Sequence, residues 1–209
     1  MNVFRKMMVS LWAMSAENLD TGANITRYSM YKRLRACLLE LDIQPNALLA
    51  VGNSANMMYK IGLEAQTVQV ANYPDVSIVD LPYPDESFDI VISDQVLEHV
   101  EGDPFTAVDE CHRVLKKGGY VIHTTCFINP VHGAPDDYWR FTPNALKLLH
   151  QNFETVEELG GWGNKDVWKF VDEGIRGIPV PHKAWHPLNK LATKNDPLWP
   201  IVTWIIAKK

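Results

Sequence analysis

Within one short stretch the chain sets an imidazole, two carboxylates, a phenol and a guanidinium: His132, Asp136, Asp137, Tyr138 and Arg140. An imidazole or carboxylate held against a substrate can take the proton from a nucleophile, so His132 and Asp136 are the candidates for a base. Asp137, Tyr138 and Arg140 are candidates for holding a substrate on the same predicted loop. A structural reading stands beside this one, in which the two aspartates make turn hydrogen bonds and Arg140 pairs with one of them. Upstream, Glu98 and His99 in VLEHV either reach the same pocket or cap and pair locally.

Other chemistry is limited. No HExxH run or oxygen-rich loop is present, so no metal is predicted. Cys37, Cys111 and Cys126 are odd in number, widely spaced and set in apolar sequence, which predicts buried thiols in a reducing cytoplasm. His123 alternates with Val121 and Thr125 inside a strand and reads as a core or rim residue. Trp162, Trp168, Trp185 and Trp199 either floor an apolar pocket or pack ordinarily.

The elements that must position these residues alternate along the chain. Met30, Leu34, Leu38 and Leu41 recur at spacings of three and four, which predicts a helix over 26–42 that Pro45 ends. ALLAV at 47–51 is an apolar run too short for a helix, closed by Gly52, and reads as a buried first strand. A helix over 54–61, strands over 66–70 and 76–79, and a central strand over 88–93 follow. Asp103 and Pro104 open a helix that Gly118 and Gly119 terminate. A strand over 119–125, a helix from Thr142 to Leu149, the strand FETVEEL and a last strand over 201–207 complete the pattern. Strand and helix in alternation predict a doubly wound α/β fold with a largely parallel sheet.

One domain is expected of 209 residues: N-terminal helices over 1–45, a core sheet over 46–160, an irregular insertion over 161–200 and the last strand over 201–209. The first nineteen residues read either as an amphipathic helix or, with Arg5 and Lys6 before a short apolar run, as a signal-like segment. No run reaches the length of a membrane span. The formal charge of −5 and the lack of a dense basic run argue against a nucleic-acid surface. A cytoplasmic location is expected, and the oligomeric state stays open.

The segment LPYPDESFDIVISDQVLEHVEGDPFTAVDECHRVLKKGGYVI, 81–122, resembles the middle of class I S-adenosylmethionine-dependent methyltransferases, the type-11 small-molecule group. LPYPDESFDIV leads into the fourth strand of that family, VLEHV follows its end, and ECHRVLKKGG forms the next helix and its cap. HGAPDDYWRFTP, 132–143, resembles a subgroup with a DDYWRFT signature. The resemblance implies a Rossmann-like methyltransferase fold, with a mostly parallel seven-stranded sheet, helices on both faces and a C-terminal antiparallel strand.

It also implies S-adenosylmethionine as cofactor, held by the loop containing Gly52 and Asn53, by Asp80 and Leu81 near the adenine, and by Asp94 and Gln95 at the carboxyl end of the sheet. In the loop, Ala50, Gly52, Ser54 and Asn56 occupy the frame of an acidic residue followed by alternate glycines, and only Gly52 survives. Ser54 is therefore expected to project a side chain where contact with the cofactor is close. About twenty residues beyond the loop, where an acid usually binds the ribose, stands Asn72, so either the affinity is reduced or Asp75, a few residues on, takes that role. The function implied is methyl transfer to an oxygen or nitrogen of a small molecule, a sugar or other biosynthetic intermediate among the candidates. The competing reading is a catalytically idle domain of the same fold that serves as a scaffold. A nicotinamide enzyme would want GxGxxG and an acid on the second strand, and has neither here.

Overall fold

A computed structural model describes residues 3–133 and 135–209. They form two compact units, one made of residues up to 33 with 161–202, the other of 34–160 with 203–209. In chain order the elements are α1 (Val3–Ala16), β1 (Thr21–Asn24), α2 (Ile25–Leu41), β2 (Ala47–Val51), α3 (Ala55–Lys60), β3 (Thr67–Ala71), β4 (Phe88–Asp94), α4 (Pro104–Val114), β5 (Leu115–Cys126), α5 (Pro143–Leu149), β6 (Thr155–Trp162), α6 (Lys165–Trp168), β7 (Pro179–Pro181), α7 (Pro187–Thr193) and β8 (Val202–Lys208).

The larger unit is built on a six-stranded sheet in the order β3-β2-β4-β5-β8-β6. β2 pairs in parallel with β3 and β4, and β4 with β5. The amide of Gly118 donates to Lys209, that of Lys209 to Gly119, and that of Glu154 to Lys208. These bonds place the end of β8 beside the starts of β5 and β6, so the last strand runs against both neighbours. Leu49, Val51, Val91, Leu97, Val108, Cys111, Leu115, Val121, Leu146 and Ile205 belong to one buried apolar cluster. The continuous run Ile90–Ile92 is fully buried, as a strand covered on both faces requires.

Seven strands were expected in this sheet and six form it. The missing one is VSIV: two successive turns, Val76 N–H to Asn72 O and Asp80 N–H to Ser77 O, consume backbone groups a strand would present to a neighbour. Residues 72–87 contain no helix either, which leaves β3 as the edge strand with Thr67–Val70 exposed. A second difference lies at α4, which ends at Val114 rather than at the glycines. The carbonyls of Arg113 and Val114 accept the amides of Glu86 and Ser87, drawing the chain directly into β5. At the other end Asp103 caps α4 as expected, its carboxylate accepting the Phe105 amide at 2.9 Å.

In the smaller unit β1 pairs antiparallel with β7. Asn164, fully buried, caps α6 and donates to the carbonyls of Leu191 and Lys194. Along α1, Phe4, Met7, Leu11 and Met14 are exposed at helical spacing while Val9 and Ala16 are buried, so an apolar stripe faces outward. Among the described residues no helix is long and apolar enough to cross a membrane.

Candidate active site

A cavity of about 550 Å³ opens at the carboxyl ends of β2, β3 and β4, where parallel strands present their loops to a ligand. Gly52 and Asn53 line it after β2, Ala71 and Tyr73 at the end of β3, Val76–Val79 along the connection, and Asp94, Gln95 and Val96 at the end of β4. The opposite wall consists of His99, Val100, Glu101, Pro135, Asp136 and Tyr138.

The turn after β2 is made by two residues. Gly52 sits at φ 56°, and a Cβ there would meet the Val96 Cγ2 at 2.8 Å, so a side chain is both strained and obstructed. Ser54 is fully buried and turned away from the cavity, contrary to the expected projection toward the ligand. Its hydroxyl donates to Val51 O at 2.5 Å and accepts the Asp94 amide at 2.8 Å. A serine thus ties the first loop to the end of the central strand.

At that strand end, Asp94 accepts from the Thr124 hydroxyl at 2.6 Å. Gln95 adopts φ 60°, its amide bonded to Thr124 O and its side chain to the Thr124 hydroxyl. A left-handed glutamine costs backbone energy that the surrounding bonds must offset.

The segment bearing DDYWRFT is stitched to VLEHV. Glu98 O accepts the amides of Tyr138 and Trp139, the Trp139 indole donates to Val100 O at 2.9 Å, and the His99 Nδ1 lies 2.6 Å from Asp136 O. Asp137 has its side chain almost wholly buried, and both its oxygens bond the Arg140 guanidinium while one also accepts the His132 amide at 2.9 Å. The guanidinium holds the Asp137 carboxyl well below the usual carboxylate range, against the opposing effect of burial. The Nδ1 of His132 is 3.0 Å from the same carboxylate.

Of the residues singled out from the sequence, Gly52, Asn53, Asp94, Gln95, His99, Asp136 and Tyr138 converge on the cavity. Asn72 is exposed between Ala71 and Tyr73, which line it, and Asp80 is exposed just beyond Val79. Leu81 is buried in the core. His132, Asp137 and Arg140 stand outside the lining and fix the loop that carries Asp136 and Tyr138, which is the structural reading of the pair.

Sequence reasoning missed Tyr73 and Glu101, and also Val96, Val100 and Pro135, whose types carry no chemical signal, as lining residues. It also gave no task to Glu110 and Arg113. Arg113 bonds the carbonyls of Leu81 and Tyr83, the Asp85 carboxylate and Glu110, and Glu110 in turn accepts the Leu81 amide. The ECHR motif therefore clamps the LPYPD turn. Burial pushes the Glu98 carboxyl upward, and that of Cys126 raises its thiol to about 12.

Residues 22–123 match a family described as a methyltransferase domain. The chain is 56% identical over 116 residues to an uncharacterised methyltransferase of Schizosaccharomyces pombe, covering 48% of this chain and 41% of that protein. It is 36% identical over 90 residues to the chloroplastic 2-methyl-6-phytyl-1,4-hydroquinone methyltransferase 1 of Oryza sativa, covering 42% and 25%, and 31% identical over 114 residues to a ubiquinone biosynthesis O-methyltransferase of Pseudomonas syringae, covering 50% and 44%. The chain thus spans less than half the length of each. In fold it resembles the N-methyltransferase NodS of Bradyrhizobium japonicum, solved with S-adenosyl-L-homocysteine, with a TM-score of 0.57 at 10% identity over 98% of both chains. A methyltransferase of Archaeoglobus fulgidus gives a TM-score of 0.50 at 15% identity, over 86% of this chain and 94% of that one. Residues 22–123 are thus similar to a methyltransferase domain, and the fold is that of the solved methyltransferases the chain resembles.

Proposed function

We propose that this chain transfers the methyl group of S-adenosylmethionine to an oxygen or nitrogen of a small-molecule acceptor. The observation that carries the reading is the cavity itself, which joins a glycine turn, the Asp94–Gln95 strand end and a polar wall of His99, Asp136 and Tyr138. Its volume of about 550 Å³ suits a small ligand rather than a polymer. Two relatives are named for a hydroquinone and for ubiquinone biosynthesis, which supports a biosynthetic intermediate as acceptor.

The residues present fit the cofactor. Gly52 lines the cavity at a positive φ that favours a residue without a Cβ, so bare backbone faces the ligand there. In this reading Gly52 and Asn53 hold its amino-acid part, Asn72 the ribose hydroxyls, Asp80 and the backbone of Leu81 the adenine amino group, and Asp94 and Gln95 the middle of the crevice. When bound, it supplies an electrophilic methyl group for in-line displacement. The protein's task is alignment, exclusion of water and removal of the acceptor's proton. Asp136 is the base we assign, because it lines the cavity while His132 stands behind it. Tyr138 and His99 orient the acceptor, and Asp137 and Arg140 keep their loop in place.

Calorimetric titration with S-adenosylmethionine and, separately, S-adenosylhomocysteine tests the reading, with Asp80→Ala as the adenine probe. Micromolar binding, about −8 kcal/mol, that weakens in the variant is expected. No binding at millimolar ligand would overturn it and leave a catalytically idle scaffold.

A further inference from the structure

Behind the polar wall lies a group of side chains that the proposed reaction does not use. Glu98, Cys126 and His132 each offer one ligand atom, and the three atoms lie within 4.8 Å of one another. They come from three separate segments: the turn after β4, the last residue of β5, and the loop beyond it. No spacing pattern announces them, and for that reason the sequence predicted no metal.

The carboxylate of Glu98 is the informative member. Its residue is fully buried, Oε2 accepts the Thr125 hydroxyl at 2.9 Å, and Oε1 is buried without a hydrogen-bond partner. An orphaned carboxylate oxygen inside a protein is costly unless something positive or protic meets it. Beside it are a thiol and an imidazole. His132 is held at one ring nitrogen: its Nδ1 lies 3.0 Å from the buried Asp137 carboxylate and 3.2 Å from Pro130 O. A histidine whose second nitrogen is held by a carboxylate is the usual supporting arrangement around a protein-bound metal.

We propose that Glu98, Cys126 and His132 form a site for a single divalent transition-metal ion of the zinc class. Sulfur, imidazole and carboxylate together select a borderline-soft ion over magnesium or calcium, which take oxygen ligands. Bonds of about 2.0–2.3 Å around a tetrahedral ion hold ligand atoms roughly 3.5 Å apart. The trio therefore draws in on loading, a movement that rotation of the partly exposed His132 supplies. Three protein ligands leave a fourth position for water. The ion would cross-link the VLEHV turn to the loop that carries Asp136 and Tyr138, giving the wall of the cavity a fixed support.

The test is cobalt(II) titration of the whole chain after chelator treatment, followed by absorption, with zinc(II) added as competitor. One equivalent of cobalt with a thiolate-to-metal charge-transfer band, abolished by zinc, is expected. Cys126→Ser should lose the band while Cys111→Ser keeps it. His132→Gln, at a partly exposed position that tolerates change, should weaken binding about tenfold or more. Thermal unfolding of each variant without metal establishes that it is folded. Absence of a thiolate band in the parent protein, or a band that survives in Cys126→Ser, overturns the proposal. None of these readouts depends on methyl transfer, so the site and the proposed activity stand or fall separately.

Discussion

The hydroxyl of Ser54 accepts the backbone amide of Asp94 at 2.8 Å, joining the first loop of the sheet to the end of its central strand. The same hydroxyl donates to Val51 O, so one buried oxygen closes both sides of the turn. Ser54→Ala leaves the Asp94 amide without its partner and should cost about 1–3 kcal/mol of stability. Urea unfolding measures this, and an unchanged midpoint would show that the bridge contributes nothing. Calorimetry on the same variant should show weaker S-adenosylmethionine binding.

Gly52→Val should be more severe for the ligand than for the fold's existence. A Cβ at this position lies 2.8 Å from Val96 and the backbone is at φ 56°, so the loop must shift away from its position at the cavity. Binding of S-adenosylhomocysteine should be lost. Adding Val96→Ala should relieve the clash but not the backbone strain, restoring stability only in part.

Asp136→Asn removes the proposed base without changing shape. The expected result is a fall in kcat of about 10²–10⁴-fold with cofactor affinity unchanged, read by initial rates once an acceptor is in hand and by calorimetry. A fall in cofactor affinity of the same size would instead make Asp136 a binding residue.

Arg113→Met should release the LPYPD turn and cost about 1–2 kcal/mol, since several charge-assisted bonds go but the site is partly exposed. The Arg113 bonds depress the Glu110 carboxyl, outweighing the rise that its partial burial causes. A depressed carboxyl adds stability above its unfolded value of about 4.3 and loses it as pH falls through the folded one. The gap between parent and variant should therefore narrow below about pH 4, measured by denaturant midpoints across pH.

His123 and His150 face each other inside the sheet's core, ring centroids 5.2 Å apart, each with Nε2 buried and without a hydrogen-bond partner. Burial lowers both, His150 to about 4. The unfolded chain therefore binds protons below about pH 6.5 that the folded chain refuses. Stability is full above that pH and falls toward pH 4, by about 1.4 kcal/mol per unit from His150 alone. His150→Gln should flatten that slope.

Much of this was legible because burial leaves a plain pattern. Ile90, Val91 and Ile92 could only be a strand covered on both faces, and Asp103-Pro104 could only open a helix. VSIV misled because three β-branched residues, Val76, Ile78 and Val79, state a preference that two backbone turns at Asn72–Val76 and Ser77–Asp80 override. In the site, Gly52, Asp94 and Gln95 were readable from their place at strand ends. Arg140 was not assignable: the same guanidinium serves a substrate or an ion pair, and only its contact with Asp137 decides between them. Glu98, Cys126 and His132 had no local pattern because they meet through the fold.

The position of β8 sets an order on biosynthesis. It lies between β5 and β6 in space yet follows both along the chain, so the sheet cannot be laid down strand by strand as the polypeptide leaves the ribosome. Until residues 202–208 arrive, β5 carries an open flank and β6 has no neighbour in the sheet. A nascent chain halted before that strand would hold β2, β4 and β5 and lack the apolar rib that joins them to β6. For this protein the closing step of the sheet is thus reserved for a segment made after the sheet's other strands.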